Sequence, residues 1–442
     1  MSNGQVKLDR RLGTTSAAMF GLSYMSPLVV IATFGAIAVK TGGAVATAYL
    51  VATIAMLATA VSYGFMAART PIAGSAYTYT SKVFGPASGF IVGWLLLLDY
   101  FFIPMVICLL TATSLSTLDP SIPFPVWVVG VTVLSTIINI LGIKLTDTVN
   151  LVIMVIQLVM VAMLGYLCVM AILQTPDGAI LSVKPFTNAE TNWSMIMAGA
   201  AVACYSFLGF DAISTLSEET VNPRQSIPRA IMIATLLGGA IFMVSTYLLM
   251  VTHPSLTFDS IDTAAYEIVG QVGGPAFTTV FTIVVAVAFF AAGLCAHASA
   301  SRLLLVMGRD NVIPSSPFAY VNPRLKTPIV NIVLVGLVML AAMKFDISTS
   351  TAFINFGAFT AFFAVNACVV RYLMKNAEER NGGRMILILI SSAGALFCAS
   401  LFYSLDKLAI ELGFSWLAIG VVYLLAKTRV FKRPLPTIST EA

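Results

Sequence analysis

The sequence predicts an all-α membrane protein with twelve transmembrane helices, ten of them arranged as two five-helix repeats of opposite orientation. Three observations carry that prediction. The chain has 442 residues, of which 59% are apolar and only 10% charged, a make-up foreign to soluble domains. Apolar stretches long enough to cross a bilayer, about 20 residues each, recur along its whole length. Two of these stretches are interrupted, and the interruptions lie five stretches apart. The runs are continuous and do not alternate in ten-residue units, which excludes an outer-membrane strand barrel.

Taken in order, the expected spans are 14–39, 44–68, 83–113, 124–143, 148–173, 194–217, 228–252, 276–303, 328–344, 348–371, 385–404 and 408–427. Residues 1–13 are polar and charged and form an N-terminal tail. The first apolar stretch is too long for a signal peptide and lacks a small-residue cleavage site, so no removal is expected. Residues 14–173 then form the first repeat, 194–371 the second, 385–427 two additional spans, and 428–442 a C-terminal tail. Connections are short and leave no room for a soluble domain. The longest are 174–193 and 253–275; the second carries Asp259, Asp262 and Glu267 without Lys or Arg, which suits simple solvation or attraction of a cation.

Loop charge sets the orientation, because basic residues accumulate on the cytoplasmic side. With the N-terminus inside, twenty Lys and Arg residues fall on that side, among them Arg10, Arg11, Arg69, Arg224, Arg229, Arg302, Arg309 and Arg324. Only Lys40, Lys184, Lys344 and Lys407 fall outside. Both termini are therefore expected in the cytoplasm and the protein in the cell's inner membrane. The net charge of +5 reads as topology, and no basic run suggests nucleic acid. All six cysteines lie in spans without metal-ligand spacing, as packing residues do.

The first interruption is Gly21-Leu22-Ser23-Tyr24-Met25-Ser26-Pro27 and the second Leu208-Gly209-Phe210-Asp211. Lipid offers no partner to backbone groups freed by a break, so a break persists where protein or a watery cavity satisfies them. Either one alone could be a tolerated kink. A five-span unit used twice must insert its second copy inverted, since an odd number of crossings reverses direction. Broken helices at matching places in inverted repeats mark a solute site.

Of the acidic residues only Asp99 and Asp211 sit well inside spans. A mid-membrane charge costs about 2.5–3.5 kcal/mol on insertion scales and needs a partner or a pathway. Asp211 has two roles open to it: capping amides freed at the break, or binding the ammonium of a solute. Asp99, with no neighbouring basic residue, could bond a hydroxyl or amide of another helix, or carry a cation or proton. His297 is a satisfied core imidazole or a proton-coupling group. Ser26 and Pro27 read as N-cap and first-turn proline of an outer half-helix. Amides there could hold a carboxylate, while carbonyls near Leu22 and Ser23 would attract a cation. Tyr24, Tyr100, Tyr205, Phe207 and Phe210 flank the breaks or Asp99, and aromatic faces favour amine cations. Glu218 and Glu219 could pair with Arg302 and Arg309 as an inner gate, or simply be solvated.

With these residues placed, the chain resembles the amino acid-polyamine-organocation transporter superfamily. The likeness rests on Gly209-Phe210-Asp211, on Glu218-Glu219-Thr220 through Asn222-Pro223 to Ile227-Pro228-Arg229, on Arg69-Thr70-Pro71-Ile72-Ala73-Gly74-Ser75-Ala76-Tyr77, and on Ser301-Arg302 through Arg309-Asp310-Asn311 to Pro314. Leu98-Asp99-Tyr100, Ala296-His297-Ala298 and Ile354-Asn355-Phe356-Gly357-Ala358 are similar to bacterial putrescine importers in particular. The resemblance implies a leucine-transporter-like fold and a secondary transporter that imports a small organic amine by alternating access. It implies a substrate site at Ser23, Tyr24, Met25, Ser26, Asp99, Tyr100, Tyr205, Phe207, Gly209, Phe210 and Asp211. Coupling to a proton or sodium ion would involve His297, Gln157 or Ser299, with no other cofactor. Two departures stand out: Ala32 replaces an Asp of the importers, and Gln157 stands where proton-coupled relatives often carry Lys. An amino acid permease or exchanger of the same fold, or a receptor that binds solute without flux, are the alternatives. Nothing in the sequence has the metal cluster, nucleotide loop or nucleophile-base pattern of an enzyme.

Overall fold

The computed structural model describes residues 8, 10–175, 179–188, 191–345, 347–376, 383–403, 405 and 407–429. Most of the predicted N-terminal tail, the tail beyond 429, the side chain of Asp262 and the cations Lys7, Arg380, Lys432 and Arg433 lie outside that set. The described residues are helical almost throughout. Eleven apolar helices are long enough to cross a membrane, and a shorter apolar helix runs from Ile329 to Met343.

The first crossing is built of two pieces, α1 (Thr14–Met25) and α2 (Val30–Thr41), joined by a 3-10 turn at Pro27–Val29. Then come α3 (Val45–Arg69), α4 (Ser75–Phe84), α5 (Pro86–Leu118), α6 (Phe124–Leu141) and α7 (Ile143–Gln174). The sixth crossing starts as α8 (Trp193–Ala203), tightens into 3-10 turns at Cys204–Phe207, breaks, and resumes as a 3-10 segment at Asp211–Leu216. It is followed by α9 (Pro223–Thr252), α10 (Ala264–Arg309), a single turn α11 (Ser315–Phe318) and α12 (Ile329–Met339), which ends in a 3-10 turn at Leu340–Met343. The last three are α13 (Ile347–Lys375), α14 (Gly383–Tyr403) and α15 (Lys407–Thr428).

Every expected span falls on a helix, with three local corrections. The connection 253–275 is half helical, because α10 begins at Ala264 and only kinks at Gly274, where φ is 68°. The span expected at 83–113 begins inside α4, and Gly85 at φ 100° separates that helix from α5. The first interruption is narrower than Gly21–Pro27, since α1 stays helical through Met25. Proline explains the position. Pro27 has no amide to give, and its ring drives the preceding residue out of the helical region, leaving Ser26 at φ 53°, ψ 110°. Gly21 serves close approach instead, because a Cβ there would run into Ile213 of the resumed sixth crossing.

The two broken crossings form the centre. α1 packs against α7, α9, α10 and the Asp211–Leu216 segment, while α3 lies against α9, and α5 against α10 and α13. α15 attaches at the edge of α5 through Trp94 and Trp416, whose indoles stack at 4.8 Å and each donate to the other's carbonyl, at 2.9 and 2.8 Å.

A candidate binding site at two helix breaks

The breaks face each other. Gly209 takes φ 124°, which a side chain rarely tolerates, and the ring of Tyr24 occupies the place its Cβ would need. The turn of the sixth crossing is thereby seated on the last turn of α1. Ser26, a non-glycine residue at positive φ, is held in a strained conformation of the kind that clusters at ligand sites.

Asp211 opens the resumed sixth crossing, fully buried. Its Oδ1 accepts the Gly209 amide at 3.3 Å and its Oδ2 accepts the Tyr100 hydroxyl at 3.0 Å. The amides of Asp211 and Ala212 also face the carboxylate. Capping and a site role therefore coexist in the geometry. Asp99, one residue before Tyr100 on α5, is 1% exposed and lies within electrostatic reach of Asp211. Its Oδ1 has no hydrogen-bond partner among the described residues, and neither has the Tyr24 hydroxyl, which faces both carboxylates. Buried polar atoms are almost always bonded, so this acceptor and this hydroxyl are groups that a ligand could engage.

Beside this cluster is a pocket of about 380 Å³, counting the space open at its mouth. The first crossing lines it with Tyr24, Met25, Ser26 and Val29, and the sixth with Tyr205 and Leu208. Ile103, Ile107 and Leu110 of α5 and Phe289 and Ala292 of α10 complete the wall. These last five, Val29 and, as a site residue, Leu208 escaped the sequence reading, since aliphatic residues in an apolar helix look alike. One signal existed: Asp99, Ile103, Ile107 and Leu110 follow helical spacing and share a face.

Other expected site residues lie elsewhere. Phe207 packs edge-on against Phe242 of α9 at 5.3 Å and does not line the pocket. Phe210 sits in an aromatic cluster with Tyr63 and Phe362. Ser23 lies against Cys295. The Ser26 hydroxyl caps no amide; it donates to Gln157 Oε1 at 3.1 Å, while Gln157 Nε2 is buried and unbonded. Of the amides expected to offer a carboxylate site at the first break, Ser26 N–H donates to Leu22 O, Pro27 has none, and Val29 N–H donates to Ser26 O.

His297 is completely buried and engaged at both nitrogens. Nε2 meets the Ile332 carbonyl at 2.7 Å, so it carries the proton, and the Ser135 hydroxyl, at 3.0 Å, donates to Nδ1. Ser299 donates to the Cys295 carbonyl and receives the Thr215 hydroxyl at 3.4 Å. At the far end of the sixth crossing, Arg302 pairs with Glu219 at 2.5 Å and Arg309 with Glu218 at 2.6 Å, all four largely buried. The chain before α1 covers the same turn, with Arg11 and Leu12 amides donating to Glu219 O and Val221 N–H to Leu12 O. These contacts tie the 217–221 turn to α10 and to the chain before α1, and none of their residues lines the pocket.

Comparison with known proteins agrees with this architecture. An amino acid permease family model matches residues 12–425. The low-affinity putrescine importer PlaP of Escherichia coli strain K12 is 39% identical over 98% of this chain and 97% of its own length. The branched-chain amino acid permease BcaP of Bacillus subtilis is 24% identical, covering 95% and 93% of the two chains, and a methylthioribose transporter of the same organism is 25% identical over the same shares. Relatives of this kind are permeases and not enzymes, and the chain, a multi-pass membrane protein, belongs to the amino acid permease family.

Proposed function

We propose that the protein imports a small organic amine, putrescine in the first instance, across the cytoplasmic membrane by alternating access. One observation carries the reading: two buried carboxylates, Asp99 and Asp211, lie near each other at the helix breaks, neither in an ion pair with a basic side chain among the described residues, and Asp99 Oδ1 has no hydrogen-bond partner among them. An ammonium group supplies what that cluster lacks, namely positive charge and several N–H donors. At the first break the Ser26 and Val29 amides are already bonded, so a zwitterionic amino acid would have to place its carboxylate on other donors, such as Gln157 Nε2 or the Tyr24 hydroxyl. Likeness to a putrescine importer over nearly the whole chain supports the same substrate class.

In this reading the substrate's ammonium lies between Asp99, Asp211 and the hydroxyls of Tyr24 and Tyr100, while Tyr205 offers an aromatic face to the methylenes. The paired Arg302–Glu219 and Arg309–Glu218 form the inner gate, which must part for release. Import against a gradient requires a coupled proton or sodium ion. Asp99 is the stronger candidate for a proton, because His297 would first have to give up one of its two hydrogen bonds. Loop charge supports a cytoplasmic position for both termini.

The test is uptake of labelled putrescine by proteoliposomes. Asp211→Asn removes the charge and keeps the shape, and uptake is expected to fall at least tenfold, a loss of the size seen when a charged partner of a buried hydrogen bond is neutralised, about 1.5–3 kcal/mol. Unchanged uptake in Asp211→Asn would remove Asp211 from the site. Competition by zwitterionic amino acids and not by amines would replace the amine reading with an amino acid permease.

A further inference from the structure

The carboxylates and the pocket are segregated. Asp99 and Asp211 lie together at the breaks and neither lines the pocket, while Tyr24 lines it and is within electrostatic reach of both. Beyond Tyr24 the wall is made by Val29, Ile103, Ile107, Leu110, Leu208 and Phe289. No acidic residue lines it, and its polar groups are confined to Tyr24, Ser26 and Tyr205. The Ser26 hydroxyl is already committed to Gln157. A ligand whose ammonium sits between the two carboxylates therefore extends its far end into an aliphatic chamber.

We infer that the site reads one ammonium group by charge and the rest of its ligand by apolar contact, so that primary amines with an apolar chain are ligands of the same site alongside putrescine. This rests on the amine reading above and sharpens it. A diamine with four methylenes would place its second ammonium against aliphatic side chains, where desolvation is uncompensated. That end is held no better than a methyl group would be, and binding of a diamine is correspondingly weak. Each methylene added to a monoamine instead removes apolar surface from water.

The experiment uses the unmodified full chain in detergent and in proteoliposomes. Propylamine, butylamine, pentylamine, hexylamine and putrescine are titrated by thermal stabilisation and by competition with labelled putrescine. Affinity is expected to rise about fourfold for each methylene along the monoamine series, the factor equivalent to about 0.8 kcal/mol per buried CH₂. Butylamine is expected to bind at least as tightly as putrescine. Putrescine binding roughly tenfold or more tighter than butylamine, as a second charged hydrogen bond would give, overturns the inference and leaves amine transport standing. Failure of every amine to bind or compete overturns both. A second arm introduces the missing charge: Val29→Asp is expected to shift the putrescine-to-butylamine affinity ratio about tenfold toward putrescine. An unshifted ratio in a folded Val29→Asp protein counts against a chamber that receives the far end of the ligand.

Discussion

Tyr24 joins packing and recognition in one side chain. Its ring fills the space above Gly209, and its hydroxyl, unbonded, faces two carboxylates. These functions separate by substitution. Tyr24→Phe keeps the ring and removes the hydroxyl, so thermal stability should stay within about 0.5 kcal/mol while amine affinity falls about three- to tenfold, the worth of one hydrogen bond. Titration of amine against the melting temperature of both proteins checks this. Gly209→Ala acts in the opposite way. A Cβ at φ 124° would be strained and would meet the Tyr24 ring, so the variant should lose transport and stability together. If Gly209→Ala transported normally, the turn would not be seated on α1 as described. Ser26 completes the set: Pro27 bars it from the helical region, it sits at positive φ, and its hydroxyl is bonded to Gln157.

At the scale of elements, the turn after the sixth crossing is held in two ways. Side chains tie the 217–221 turn to α10 through Arg302 and Arg309, and backbone hydrogen bonds tie it to residues 11 and 12. Removing one partner of a buried pair leaves the other charge unmatched, at about 3–5 kcal/mol. Arg302→Ala should therefore lower stability by about that amount, and more than Arg309→Ala, because the Arg302–Glu219 side chains are 8% and 3% exposed against 13% and 11% for the other pair. Thermal melts of the two variants decide the order. Such pairings were only half legible in the sequence. Glu218, Glu219 and the arginines announce themselves as charges at span ends, but which Arg meets which Glu depends on how α10 is rotated. Proline and loop charge are local and were readable, so Pro27 fixed a break to within a few residues and the spans fell on helices. The course of α10 before Gly274 was not readable, because a polar, glycine-containing stretch resembles a loop until it packs. The pocket walls were invisible for the reason that Ile, Leu and Val serve lipid contact, core and substrate contact equally well.

At the scale of the whole molecule, two inverted repeats of crossings one to five and six to ten would make α3 the mate of α9 and α5 the mate of α10, and each of these pairs is in contact. The weakest part of the twelve-crossing scheme is the ninth. Ile329–Met343 is 15 residues long and partly 3-10, so it spans roughly 25 Å against a hydrocarbon core of about 30 Å. It can cross because α5, α6 and α10 pack against it, so its ends meet protein as well as lipid. The buried native cysteines leave the surface free for introduced ones. Arg324 precedes this helix and Lys344 follows it, and both are exposed. Arg324→Cys should react with a membrane-impermeant maleimide only after permeabilisation of cells, and Lys344→Cys should react in intact cells. Labelling of both from the same side would mean that Ile329–Met343 does not cross. The second repeat would then be one helix short, and loop charge beyond Lys344 would have to be reassigned.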